Sequence, residues 1–342
     1  MKSMDYLQPG QGANRKEIRL LFTCAGRRIQ LIQAFAQAAR VCQLQPFIHT
    51  SDSIPWVAAR CVADQGHLVP PIEADEYIPA LLEIARQEKI DLLIPTLDTE
   101  LLKLARARDQ FHQIGCGVLI SSPNIIELCG DKISTYEFLI RSGIPTPATW
   151  PAPDALSWSH FQFPYFLKPR SGSASKENFV LRNEDDLRSL VPYLNDSIIQ
   201  EFIPGVEYTL DAYTDLTGHL KCIVPRRRLE VRGGEVTRSL TVKDQLIINT
   251  GKKVIQALGE CRGMITIQLI MTSDRRPMVI EINPRFGGGV PLAIRAGADF
   301  PRWLLHEWKG HSPESCFDDF QDGVTMLRYH QAFYIDRHEN LI

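Results

Sequence analysis

Residues 279–289 read VIEINPRFGGG, which places a carboxylate (Glu281), an amide (Asn283) and a guanidinium (Arg285) at alternate positions before three consecutive glycines. Side chains alternate along a strand, so Val279, Glu281 and Asn283 are expected on one face and Met278, Ile280 and Ile282 on the other. An apolar run, MITIQLIM, precedes this segment, with turn residues around Asp274 and Arg275 between them. A turn centred there sets Gln268 directly across from Glu281, where opposed Cβ atoms lie about 4.5–5.5 Å apart. Gln268, Glu281 and Asn283 would then offer three oxygen donors to one point. That set suits Mg²⁺, a hard ion that completes its shell with water and substrate phosphate, and Mn²⁺ is a possible substitute. A sheet face turned to solvent would carry the same residues.

Two further segments could handle anions. FPYFLKPRSGSASKENFV, residues 163–180, reads as a strand ending in Lys168, a loop of small residues including Ser171, Gly172, Ser173 and Ser175, and a second strand. Small residues let backbone N–H groups approach phosphate oxygens, and a lysine adds a mobile point charge. No GxxxxGK[ST] occurs, so this is not a Walker A loop, and a plain hairpin loop is the other reading. In PRRRLEVRGGEVTR, alternation puts Arg226, Arg228 and Arg232 on one face with Glu230 among them. Such a row could bind a carboxylate substrate or its acyl phosphate, although exposed arginines also serve solubility. Arg27 and Arg28, at the end of the first strand and the start of a helix, could hold another anionic group.

These residues need elements to position them. From Ile18 onward, apolar runs such as IRLLFTCAG and DLLIPTLD alternate with amphipathic stretches such as RRIQLIQAFAQAARV and YIPALLEIARQEKI. That is the signature of a parallel sheet covered by helices, with ligands expected at the C-terminal strand ends, here residues 23–28, Asp52 and residues 98–100. The proline-rich IPTPATWPAPD should break regular structure. Beyond it the strands pair as hairpins, turning at residues 215–218, at Gly233-Gly234 and near Asp274-Arg275. The expected division is a loose leader (1–17), an α/β domain (18–124), a linker helix with a lid subdomain (125–202) and a catalytic α+β part (203–342). Eight scattered cysteines without a CxxC pair favour a reducing, cytoplasmic setting over a disulfide framework or a zinc site. A net charge of -2 gives no general reason to bind nucleic acid or anionic lipid. No stretch reaches the about 18 apolar residues of a membrane span, so no membrane partner is expected.

EINPRFGGG, with IQL one strand earlier, resembles the metal signature of the ATP-grasp superfamily, in the branch of the carbamoyl phosphate synthetase large subunit. The resemblance runs over nearly the whole chain and implies an ATP-grasp fold behind a Rossmann-like leading domain, with ATP and Mg²⁺ as cofactors. It implies that Glu281 bridges two ions, that Asn283 and Gln268 complete their coordination, and that Arg285 holds the transferred phosphate. It further implies that Lys168, and Lys132 within GDKISTYEFL, reach the nucleotide phosphates beneath a lid formed by residues 171–175. IIQEFIPGVEYTLD would supply adenine contacts (Glu201, Phe202, Ile203) and a ribose ligand (Glu207). The family's usual SxGV ending is replaced here by SKENF. The implied activity is ligation of a small carboxylate to a small amine through an acyl phosphate, releasing ADP and phosphate, with a homodimer possible. A phosphotransferase that stops at a phosphorylated product, and a non-catalytic nucleotide-binding module, are the other readings.

Overall fold

The computed structural model describes residues 15–172, 177–317 and 319–336. Most of the expected leader, residues 1–14, lies outside them. The first sheet is parallel, ordered β3-β2-β1-β4-β5, and comprises β1 (Glu17–Thr23), β2 (Gln45–Asp52), β3 (Gln65–Leu68), β4 (Leu92–Pro95) and β5 (Gly117–Val118). Alternation along β1 explains the layering. Ile18, Leu20 and Phe22 pack with Leu31, Ile32 and Phe35 of helix α1 (Ile29–Val41). Leu21 points the other way, into a separate core with Leu81 of α2 (Tyr77–Gln87) and Leu104 and Phe111 of α3 (Leu101–Gln113). A sheet covered on both faces opens only at its strand ends, and β1 and β4 flank the point where the strand order reverses.

Helices α4 (Pro123–Gly130) and α5 (Lys132–Arg141) follow, separated at Asp131, whose carboxylate caps α5 by accepting from the backbone of Ile133 and Ser134. The second sheet is antiparallel, ordered β6-β9-β7-β8, from β6 (Thr149–Pro151), β7 (Tyr165–Pro169), β8 (Phe179–Leu181) and β9 (Ser197–Glu201). The proline-rich stretch expected to be irregular therefore contains a strand. It is a short edge strand, where a missing N–H costs no ladder bond. Leu167 and Ile199 of this sheet bury against Leu187 of α6 (Glu184–Leu190), which leaves Phe166 and Lys168 on the opposite face.

The third sheet, ordered β14-β13-β10-β11-β12-β15, is antiparallel and comprises β10 (Val206–Thr214), β11 (Leu220–Arg232), β12 (Glu235–Thr241), β13 (Gly263–Met271), β14 (Pro277–Asn283) and β15 (Thr325–Leu327). Its hairpin turns fall at the expected positions. One face carries Leu210, Ile223, Ile267 and Ile282, all fully buried in the core that α7 (Gln245–Leu258) helps to form. A methyl group added at Gly251 of α7 would come within 2.8 Å of Leu210 Cδ2, so this glycine permits the close packing of helix on sheet. The other face is polar, and the candidate site lies on it. No described helix is long and apolar enough to cross a membrane.

Candidate active site

Strand register assembles the polar face. Glu207, Thr209 and Asp211 alternate along β10. Thr209 pairs with Gln268 of β13 and with Arg226 of β11, and Asp211 pairs with Thr266. On β14, Glu281 stands opposite Gln268 and Asn283 opposite Thr266. The Asn283 amide nitrogen lies 3.0 Å from Glu281 Oε1. Gln268, Glu281 and Asn283 therefore occupy neighbouring positions on one surface. One expectation fails here. The register slips between the Gln268–Glu281 and Leu269–Val279 pairs, because a bulge at Ile280 inserts a residue into β14. Val279 consequently lies with Leu269 in the core, fully buried, rather than on the face of Glu281.

The arginines of β11 separate in the same way. Arg226, 1% exposed, forks onto the equally buried Asp211 through bonds of 2.5 and 3.0 Å. Arg228 Nη1 pairs with Glu207 and donates to Gln268 Oε1 at 3.0 Å. Arg232 does not share their face, because register shifts between Arg228 and Glu230 and again between Glu230 and Val231 leave it exposed beside Glu230 at 2.8 Å. Two of the three arginines thus enter the site and the third serves the surface. Burial raises the Glu207 carboxyl above its usual range, against the opposing charge of Arg228.

Beyond β14 the chain is drawn towards the parallel sheet. The Arg285 carbonyl accepts from the Thr266 hydroxyl at 2.9 Å, and its guanidinium meets Asp98 at 2.6 Å. Phe286 packs edge-on against Phe35 of α1. Asp98 is held by a buried turn. Glu100, fully buried, accepts from the backbone of Thr96 and Leu97 and from the Tyr77 hydroxyl, while the Thr96 hydroxyl bonds the Cys24 carbonyl. The reason for two of the three glycines is now physical. A Cβ on Gly289 would collide with the Arg226 guanidinium, and one on Gly288 would sit 2.7 Å from Arg28 Nη1.

Two lysines reach the same face from the opposite side. Lys168, 8% exposed, donates to Gln200 Oε1 at 2.9 Å. Burial pushes its ammonium down to about 8, against the pull of Glu281 and with the repulsion of Lys132. Lys132, at the first turn of α5, donates to the Gly172 carbonyl at 3.1 Å, and burial lowers it too, opposed chiefly by Glu281 and Asp98. The strand before the loop is latched by Arg170, which grips Asp131 through two nitrogens at 2.6 and 3.0 Å. Of the loop residues expected to cradle phosphate, Ser171 and Gly172 are exposed, with Gly172 at φ +86°, and Ser173 and Ser175 lie outside the described residues.

The expected adenine contacts stand at the end of β9. Glu201 is committed to the edge strand, since its backbone N–H donates to the Ala148 carbonyl and its carboxylate accepts from the Ala148 N–H. Phe202 stacks on Phe166, with ring centroids 5.6 Å apart and planes at 7°. It lines a cleft of about 420 Å³ together with Phe163, Pro164, Val180 and Arg182. Ile203 follows it outside regular structure. An apolar slot of this kind, with Arg182 at its edge, suits a planar base.

Asp98 stands among the strand-end residues where ligands were expected, whereas Asp211, Gln200 and Arg328 were passed over in the sequence. Asp211 had a signal, since Glu207, Thr209 and Asp211 are alternate polar positions in an otherwise apolar run. Arg328 had none, as it follows a three-residue strand.

Comparison with known proteins supplies the context. Residues 129–289 match the family described as the ATP-grasp domain, and residues 20–119 match the PylC-like N-terminal domain. The chain is 24% identical over 221 residues to a carbamoyl-phosphate synthase of Methanobrevibacter smithii, a match covering 60% of each protein. It is 27% identical over 246 residues to the 3-methyl-D-ornithine--L-lysine ligase of Methanosarcina acetivorans, covering 71% of this chain and 61% of that one. It thus spans about three fifths of the length of these two relatives. The ADP-complexed N5-carboxyaminoimidazole synthetase of Staphylococcus aureus shares the fold, with a TM-score of 0.72 at 14% identity over 93% of this chain and 95% of that one.

Proposed function

Because the chain carries an ATP-grasp domain behind a PylC-like N-terminal domain, we propose that it is an ATP-dependent ligase that joins a small carboxylate to a small amine, releasing ADP and phosphate. The observation that carries this reading is the convergence of Gln268, Glu281 and Asn283 on one sheet face within electrostatic reach of Lys168 and Lys132. Oxygen donors opposite lysines form a clamp for a triphosphate, and phosphoryl transfer needs positioning and charge neutralisation more than covalent help. The relatives named as ligases support the same reaction class.

In this reading the nucleotide base lies in the slot beside Phe202 and Ile203, next to Glu201. Glu207 serves the ribose, and Lys132, Lys168 and the loop containing Ser171 and Gly172 hold the phosphates. Gln268, Glu281 and Asn283 fit Mg²⁺, with Mn²⁺ as a substitute, and the ion would neutralise charge on the triphosphate. Arg285, fixed by Asp98, faces the transferring phosphoryl group, and Arg228 bridges Glu207 and Gln268. Arg226, buried on Asp211, supports the glycine loop and takes part in binding through its unpartnered Nη1. A carboxylate oxygen attacks the γ-phosphorus as the bond to the β-phosphate oxygen breaks. The amine nitrogen then attacks the acyl carbon, phosphate leaves, and the amine gives up a proton. A closed lid keeps water from the acyl phosphate. We further assign 18–124 to the leading domain, 125–202 to linker and lid, and 203–342 to the catalytic part, in a cytoplasmic protein whose eight cysteines are all free.

The test is ADP release across a matrix of small acids and amines. The ligase reading expects ADP and phosphate only where acid and amine are both present, with one amide formed per ADP. A stable phosphorylated product without amine demand would make the protein a phosphotransferase. AMP with pyrophosphate, or nucleotide binding without turnover on any acceptor, would overturn the ligase reading.

A further inference from the structure

Positive charge accumulates around the glycine loop. Arg328, one residue beyond β15 and outside both family matches, donates from Nη2 to the Gly288 carbonyl at 2.7 Å. Arg28, at the start of α1, reaches the same glycine with its Nη1 and donates to the Thr96 carbonyl through a long bond of 3.4 Å. Arg226 lies under Gly289 with its Nη1 buried and unpartnered, and Arg285 stands at the loop's start with its Nε in the same condition. Arg27 completes the group, sharing Glu235 with Arg328 at 3.2 and 3.8 Å. Three carboxylates oppose these five guanidinium groups: Asp211 on Arg226, Asp98 on Arg285, and Glu235 between Arg27 and Arg328. Five against three leaves two positive charges without a carboxylate. Among the described residues no carboxylate pairs directly with Arg28. Burial, and then the neighbouring charge of Arg285, draws the Arg28 guanidinium down to about 10. Burial likewise lowers Arg328, with Arg226 and Arg27 adding to the effect and Glu235 opposing it.

Arg27, 76% exposed, is served by water, but the half-buried guanidinium groups of Arg28 and Arg328 are costly unless an anion completes them. In the ligase reading, transferred phosphate accounts for Arg285, whose guanidinium is held by Asp98. It does not account for Arg28 and Arg328, which come from the two ends of the chain and meet at Gly288, at the C-terminal end of the parallel sheet where a second substrate would enter. Paired guanidinium groups match the planar, two-oxygen geometry of a carboxylate.

Resting on the ligase reading, we infer that Arg28 and Arg328 form a specificity site for a second carboxylate, one that is not phosphorylated. This carboxylate rides either on the amine, which is then an amino acid, or on the acid, which is then a dicarboxylate.

The experiment reads binding rather than turnover. Protein loaded with Mg²⁺ and a non-hydrolysable ATP analogue is titrated calorimetrically with amino acids, with four- and five-carbon dicarboxylates, and with the primary amide of each. At least one carboxylate should bind, with its amide at least tenfold weaker, and the class that binds identifies which substrate carries the group. Arg328→Gln and Arg28→Gln should each weaken the carboxylate at least tenfold, should leave the amide within twofold of wild type, and should leave analogue affinity within twofold. Arg328→Lys should restore part of the loss, because it returns the charge without the fork. Should Arg28→Gln fail to fold, Arg328→Gln and Arg328→Lys decide the matter alone. Amides binding as well as acids, wild-type affinity in Arg328→Gln, or no panel compound binding to analogue-loaded protein would each overturn the inference while leaving the ligase reading intact. Failure of the analogue itself to bind would instead strike the ligase reading.

Discussion

The two faces of the six-stranded sheet are made by the same strands and do opposite things. One presents Leu210, Ile223, Ile267 and Ile282, fully buried in the apolar core. The other presents Glu207, Asp211, Arg226, Arg228, Gln268, Glu281 and Asn283, of which Asp211 and Arg226 are just as inaccessible, tied to one another by charge and hydrogen bonds. The apolar face gains stability from area removed from water, about 25 cal/mol per Å². The polar face gains little net stability, since desolvation offsets most of the attraction within a buried pair. Its return is a set of fixed dipoles and charges where a reaction can use them. The two faces should therefore respond to mutation in opposite ways.

The widest separation is expected between Glu281→Gln and Ile267→Ala, which alter opposite faces of paired strands. Glu281→Gln should lower turnover by about a thousandfold while changing unfolding free energy by about 0.5 kcal/mol or less. Ile267→Ala should cost about 2–5 kcal/mol of stability and leave turnover per folded molecule near wild type. Steady-state ADP release and urea melts on both variants check this, and equal stability losses would dissolve the contrast.

Arg226 and Asp211 blur the division, because they lie on the polar face yet are buried like the core. Arg226→Gln strands a buried carboxylate and should cost about 3–5 kcal/mol, whereas replacing both partners by apolar residues of similar volume should recover much of it. A double-mutant cycle by chemical denaturation measures the coupling, and additive single effects would show that the pair is not a unit. Gly289→Ala should be milder, about 1–3 kcal/mol, since the added methyl must push the Arg226 guanidinium aside. A loss of that size in the Arg226→Gln background would refute this cause.

What the sequence revealed follows the same division. Period-two and helical patterns located both main sheets and their turns, because apolar burial leaves a regular trace. The Gln268–Glu281 pairing was legible because a two-strand hairpin with a defined turn fixes its register. The bulge at Ile280 was not, since an inserted residue changes no residue type. Nor was the Asp98–Arg285 pair, whose partners stand 187 residues apart and meet only when the parallel sheet docks on the glycine loop. Arg232 departs from the face of Arg226 and Arg228 for the reason that defeats any alternation rule, register shifts between Arg228 and Val231.

The smallest effect expected is a protonic one. With Lys168 held down to about 8 in the free protein, well below its ordinary 10.5, the folded chain sheds this proton before the unfolded chain does. On this group's account stability therefore rises with pH between about 8 and 10.5 and loses that contribution as pH falls through 8. A bound triphosphate favours the ammonium, so nucleotide binding near pH 8.5 should take up a fraction of a proton. Calorimetric enthalpies in buffers of different ionisation heat should reveal it, and Lys168→Met should abolish it. Enthalpies independent of buffer would place Lys168 away from the phosphates.

The central claim is transfer of the γ-phosphoryl group to a carboxylate followed by displacement by an amine. Its most direct test uses the acid found in the ADP-release matrix, labelled with ¹⁸O in both carboxylate oxygens. The ligase reading predicts that one ¹⁸O leaves in the phosphate for each amide formed, visible in its ³¹P resonance. Unlabelled phosphate accompanying amide formation would contradict it.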